Sequence, residues 1–177
     1  LHERFAITTL YVTHDQAEAM VISDRVAVLR DGRVVQIGPP EELFEHPRTR
    51  FVAEFVGKTN LIDAVADGER SVARGALRLR VAAAGPPPRG QVVVSIRPHQ
   101  IAIGPAAAPH ATDDGNVLAG TVLRASYLGE AVDYQVALDG SDVVLRVTGP
   151  APARVRAGEP VTVTVPATAC VLLPAAD

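Results

Sequence analysis

Apolar and polar positions divide the chain into two grammars that change near residue 58. Residues 6–12 (AITTLYV) are β-branched and aromatic with almost no polar break, the pattern of a strand covered on both faces in a parallel sheet. Thr13 or Asp15 then offers a helix N-cap, Gln16 or Glu18 a capping-box partner, and Ala17, Met20 and Val21 follow at helical spacing. Two short apolar runs across 24–37 flank Arg30-Asp31-Gly32, which predicts a hairpin. Gly38-Pro39-Pro40-Glu41-Glu42 opens a short helix over 41–45, and Phe51, Val52 and Phe55 form one stripe of a second over 49–56 that Gly57 closes.

Beyond Lys58 helical periodicity gives way to short strands and turns. The pattern predicts strands over 61–66, 76–81, 91–96, 120–128, 131–138, 143–147 and 160–165, separated by turn material such as Gly85-Pro86-Pro87-Pro88 and Asp139-Gly140. Such spacing predicts a small barrel or sandwich, with 104–116 (GPAAAPHATDDGN) as its most linker-like stretch. No repeat is visible, although the strand clusters on either side of that linker could form two halves of one β-domain. The predicted class is α+β, divided into residues 1–57 and 58–177.

Composition narrows the functional classes. Net charge is −3, with 7 Lys/Arg against 9 Asp/Glu in residues 1–60 and 10 against 11 thereafter, so neither part has the basic excess that a phosphate backbone demands. Aromatics are 4%, leaving few platforms for base stacking, and nucleic acid is not an expected partner. The single cysteine, Cys170, has no disulfide or thiolate partner and reads as a small buried hydrophobe. No window approaches the roughly 18 apolar residues of a membrane helix, and the opening Leu1-His2-Glu3-Arg4-Phe5 lacks a signal peptide's apolar stretch, so the expected location is cytoplasmic. The absence of an initial Met and the mid-pattern start suggest a piece of something longer.

One residue stands out chemically. His14 sits where the strand pattern hands over to a helix N-terminus, the place where open α/β sheets hold ligands and where a phosphate would meet free N–H groups. By position alone, a lone histidine there is more often a capping or surface residue.

The longer string changes that weighting. Residues 8–57 (TTLYVTHDQAEAMVISDRVAVLRDGRVVQIGPPEELFEHPRTRFVAEFVG) closely resemble the end of the nucleotide-binding subunit of ATP-binding cassette (ABC) importers: a strand ending in Thr-His-Asp, a helix with Glu-Ala, a "D-R-x-x-V-x-x-x-G-x-x-x-Q-x-G" hairpin, then "P-x-x-x-F-V-A-x-F-x-G". Gly57-Lys58-Thr59-Asn60-Leu61 resembles the entry to the transport-associated OB-type (TOBE) domain that follows that core. Ser95 to Ile101 resembles its "R-P-E-x-I" segment, with His99 in place of the acid, and Tyr127-Leu128-Gly129 with Tyr134-Gln135-Val136 its "Y-x-G … Y-x-V" strands.

The resemblance implies a C-terminal remnant of an α/β ATPase core followed by an all-β OB-type barrel. It implies that His14 is the switch histidine contacting the γ-phosphate, that ATP and magnesium are cofactors of the intact subunit, and that Asp15, Arg25, Asp31, Gly32 and Gly38 determine the fold. It implies a second copy of the subunit, membrane permease subunits and, indirectly, a periplasmic or lipoprotein solute-binding protein as partners at the cytoplasmic face of the membrane. The "G-x-x-x-x-G-K-[S/T]" loop, Gln loop, Ser-Gly-Gly-Gln signature and Asp-Glu strand end do not occur within these 177 residues, so this stretch alone is not expected to hydrolyse ATP or hold a cofactor. Residues 1–57, deprived of sheet neighbours, are expected to pair with a second copy.

A different reading is an autonomous β-module for oligomerisation or small-anion binding. Its candidate anion ligands are Arg97, Arg124 and Arg146, for each of which a solvated surface arginine is the ordinary alternative.

Overall fold

The computed structural model describes residues 8–82, 89–106, 115–152 and 154–175. The protein is mostly β, with three short α-helices confined to the first third of the described chain.

Residues 8–13 form no strand, and Leu10 is 90% exposed. That corrects the expectation for 6–12, of which 6 and 7 lie outside the described residues. A strand pattern specifies which faces want cover, but a single strand leaves its own N–H and C=O groups unpaired, and no neighbouring strand reaches this segment. Helix α1 (Gln16–Ile22) follows, capped by Asp15, whose Oδ1 accepts from the amides of Ala17 at 2.9 Å and Glu18 at 3.1 Å. Strands β1 (Val26–Arg30) and β2 (Arg33–Gly38) form the expected hairpin. Its turn places Asp31 at φ 53° and Gly32 at φ 75°, the left-handed pair that a two-residue hairpin turn requires. Helices α2 (Pro40–Glu45) and α3 (Arg50–Phe55) complete the segment, α3 capped by the Thr49 hydroxyl accepting from Val52 N–H at 3.2 Å. Val28, Leu43, Val52 and Val56 form its small core, with Met20 packed against them.

Ten strands follow: β3 (Asn60–Ala66), β4 (Ser71–Arg74), β5 (Leu77–Arg80), β6 (Gln91–Ile96), β7 (Ala102–Pro105), β8 (Gly115–Tyr127), β9 (Ala131–Leu138), β10 (Val144–Pro150), β11 (Pro160–Pro166) and β12 (Val171–Pro174). They form two five-stranded antiparallel sheets, β12-β6-β3-β4-β5 and β10-β9-β8-β11-β7. Alternate residues of both face one shared core, which includes Ile62, Val94, Val122, Tyr134, Val136 and Val163. Three four-residue strands, β4, β7 and β12, were not expected, and β8 begins at Gly115, inside the stretch read as linker, of which 107–114 lie outside the described residues.

The two sheets are copies of one topology. Asn60 pairs with Ile96 as Asn116 pairs with Val165; Ser71 with Arg80 as Gln135 with Arg146; Ser95 with Val171 as Thr164 with Ala102. Each half runs through four strands and a 3-10 turn (Pro98–Gln100 or Ala167–Ala169), then sends a fifth strand across to complete the other half's sheet. The halves are thus interlocked and cannot separate as independent domains.

Two asparagines stitch the sheets at equivalent points. Asn60 Nδ2 donates to the carbonyls of Arg146 (2.9 Å) and Ile96 (3.1 Å), and its Oδ1 accepts from Arg146 N–H at 2.7 Å. Asn116 Nδ2 donates to the carbonyls of Arg80 (3.0 Å) and Val165 (3.3 Å), and its Oδ1 accepts from Arg80 N–H at 2.6 Å. Each amide thereby supplies the pairing that an outermost strand, β10 or β5, lacks on its open side.

Symmetry breaks in two places. The turn at 67–70 corresponds to the much longer 123–134, which lifts a hairpin with Tyr127 and Leu128 exposed at its tip. On the outer faces, Val93 and Leu173 of the first sheet are covered by Ala53 of α3, whereas the equivalent register pair on the second is Thr162 and Gly104. Only one sheet carries the apolar surface that draws the helices onto it. Gly120 marks a tight passage, because a Cβ there would lie 2.5 Å from the Ala137 carbonyl oxygen and 2.9 Å from Val136 Cγ1. Gly120→Ala is expected to cost about 2 kcal/mol by overpacking, measured as a lower urea midpoint.

Candidate functional site

His14 stands immediately before the capped N-terminus of α1 and is exposed. The turn around it is built by its neighbours: Thr13 Oγ1 accepts from Asp15 N–H at 2.9 Å, and Asp15 in turn holds the first amides of the helix. Tyr11 O–H donates to Glu18 Oε2 at 3.0 Å, tying the incoming segment to α1, and that acceptor raises the Tyr11 pKa. His14 itself is exposed and makes no hydrogen bond among the described residues. A phosphate fits that geometry, since a neutral imidazole can donate to a phosphate oxygen. A metal ion has no counterpart set here: among the described residues no group of three or more His, Cys, Asp or Glu could hold one.

The three arginines separate. Arg97 is 3% exposed and committed to main-chain carbonyls of Phe44, Ala53, Gly57 and Lys58. Burial lowers its pKa, opposed by the nearby Glu45 charge. Arg124 and Arg146 lie in one cross-strand row on either side of Gln135. Arg146 forms a two-pronged pair with Asp133, Nε to Oδ1 at 2.7 Å and Nη2 to Oδ2 at 2.6 Å. Those bonds hold Asp133 below the usual carboxylate range, helped by Arg146, Lys58 and Arg124 charges and opposed by burial, and they raise Arg146. The three cations gather around one carboxylate on the outer face of the second sheet.

A depressed carboxylate stabilises the fold above its unfolded pKa and loses that contribution as pH falls through its lower folded pKa. Asp133→Asn is therefore expected to flatten the acid limb of stability below about pH 4, at a cost near pH 7 of about 1 kcal/mol or less because Arg146 is 39% exposed. Urea midpoints at pH 3 and pH 7 check both arms. Cys170 is buried, with its thiol pushed up to about 12 by desolvation, and is chemically quiet.

Sequence reasoning did not find Asn60 and Asn116. The available signal for Asn60 was an asparagine at the head of a strand pattern, whereas Asn116 lay at the end of the stretch read as linker.

The TOBE domain family matches residues 94–173. A spermidine/putrescine import ATP-binding protein of Rubrobacter xylanophilus is 39% identical over 183 residues, covering 98% of this chain and 47% of that protein. An Fe(3+) ions import ATP-binding protein of Rhizobium meliloti is 38% identical over 140 residues (77% of this chain, 37% of the relative), and a sulfate/thiosulfate import ATP-binding protein of Burkholderia mallei 38% over 144 (81% and 39%). The chain is similar over most of its length to ATP-binding subunits of ABC importers. It spans about half the length, or less, of these curated relatives. Among solved structures, the cytoplasmic molybdate-binding protein ModG, with molybdate bound, shares the β-fold at TM-score 0.54 and 14% identity, covering 64% of this chain and 94% of ModG. That likeness shows the fold of the chain's strand-rich part. No helix among the described residues is long and apolar enough to cross a membrane.

Proposed function

We propose that this chain is the C-terminal part of the ATP-hydrolysing subunit of an ABC importer, residues 1–57 closing the ATPase core and 58–177 forming its TOBE domain. The observation that carries the reading is the alignment with an import ATP-binding protein across 98% of the chain, so that the switch segment and the β-domain match as one piece. ATP with magnesium supplies the transferable phosphoryl group and its charge neutralisation in the intact subunit. His14, held outward by the Thr13 and Asp15 turn, then donates to a phosphate oxygen and helps fix the attacking water; the phosphate cradle and metal ligands come from the half that the relatives carry in addition. The subunit works at the cytoplasmic face of the membrane against permease subunits, with a solute-binding protein upstream and a second ATPase subunit as dimer partner. The β-domain serves dimer contact or regulation, and the solute is small. ATP turnover by a natural-length subunit, with and without His14→Ala, tests the assignment.

A second reading concerns the β-domain alone. Arg124, Arg146 and Lys58 gathered around Asp133 favour a small oxyanion on that face, the class of ligand bound by the protein of similar fold. Calorimetric titration with molybdate, sulfate and phosphate is expected to give heat that Arg124→Ala diminishes; no heat from any of the three removes the reading.

A further inference from the structure

The last carbonyls of an α-helix have no partner inside it and form its negative end. Two such ends meet at Arg97. Its Nε and Nη2 donate to the Phe44 carbonyl in the last turn of α2, at 3.1 and 2.7 Å. Its Nη1 donates to Ala53 in α3 at 3.0 Å, and to Gly57 and Lys58 just beyond that helix at 3.1 and 3.2 Å. The guanidinium also lies over the Phe44 ring at 4.2 Å from its centroid, and His99 stacks on the same ring at 5.8 Å. Gln100 Nε2 adds a bond to Glu45 Oε2 at 2.9 Å.

Arg97 itself is anchored between β6 and the 3-10 turn Pro98–Gln100, inside the interlocked β-core. On their far side α2 and α3 carry Leu43 and Val52, and Met20 of α1 packs against that cluster. Contact is therefore continuous from the β-core through Arg97 to α2 and α3, then to α1, the helix that His14 precedes. A lysine would keep the charge but has neither the planar fork nor the ring-stacking face needed to cap two helix ends together.

We infer that Arg97 is a positioning residue, the buried side chain that caps α2 and α3 together from the β-domain and, through them, sets the stance of α1 and His14. Its effect on hydrolysis rests on the ATPase reading above; its effect on the helices does not. Native-state hydrogen exchange on this chain tests the second directly. Arg97→Met is expected to reduce protection in α2 and α3 by roughly 10-fold or more relative to the β8–β11 amides, since bonds to a charged donor are lost only at the helix ends. Arg97→Lys, the gentler change if the Met variant does not fold, is expected to shift the same amides in the same direction by a smaller factor. Equal loss of protection in helices and strands, or none in the helices, would overturn the inference. In a natural-length subunit Arg97→Lys is further expected to lower kcat several-fold with the KM for ATP unchanged. Full kcat there, beside an inactive His14→Ala, would sink the link to His14, whereas an active His14→Ala would sink the ATPase reading and leave the exchange result standing.

Discussion

Asn60→Ala is expected to destabilise the protein by about 3 kcal/mol, and Asn116→Ala by a similar amount. Each amide satisfies both main-chain groups of one residue on an outermost strand and the carbonyl of another: Arg146 and Ile96 for Asn60, Arg80 and Val165 for Asn116. Both asparagines are buried, so alanine removes the partners without admitting bulk water. The cost then combines lost bonds of about 1 kcal/mol each with stranded polar groups of about 1 to 3 kcal/mol each. Aspartate, nearly the same shape, is expected to do no better, because its carboxylate has no donor to offer the two carbonyls. Urea unfolding checks this: midpoints should fall together in both alanine variants with unchanged slope. A loss below about 0.5 kcal/mol in either would show that the stitch is decorative at that end.

The same pair shows where the sequence becomes opaque. Equivalent positions in the two halves share register rather than residue type: Val93 answers to Thr162, Leu173 to Gly104, Ser71 to Gln135. Backbone pairing imposes that symmetry and side chains are free to diverge, so two halves could be suspected from the strand clusters but not their duplication. Elements with a local cause were legible. Asp31-Gly32 dictates its hairpin turn, Asp15 caps the helix it precedes, and the alternation along 131–138 marks β9. Strands β4, β7 and β12 lack the alternation that marked the equally short β5, and exist because a neighbouring strand offers them a ladder.

The site residues follow the same division. The turn that carries His14 was legible because it is written in adjacent residues, Thr13, Asp15 and the helix after them. The strand expected before it depended on partners that no local pattern supplies, and residues 8–12 lie outside any strand and are exposed. As anion candidates Arg97 and Arg124 read alike in the sequence, one just past a strand pattern and the other within one. What separates them is distant: helix ends at Phe44 and Ala53, brought by the apolar outer face of one sheet and not the other, turn Arg97 into a buried cap while Arg124 stays exposed.

In a natural-length subunit, His14→Ala is expected to lower ATP turnover by roughly 100-fold or more, the range in which a group positioned at the reacting phosphate contributes. ATP affinity is expected to change little, because no phosphate-binding loop motif occurs within residues 1–177 and the exposed imidazole makes no hydrogen bond among the described residues. Steady-state phosphate release, measured beside nucleotide binding and the urea midpoint of the same variant, separates these effects. Turnover reduced about 100-fold with binding and stability retained is the predicted result, and wild-type turnover in His14→Ala would contradict it.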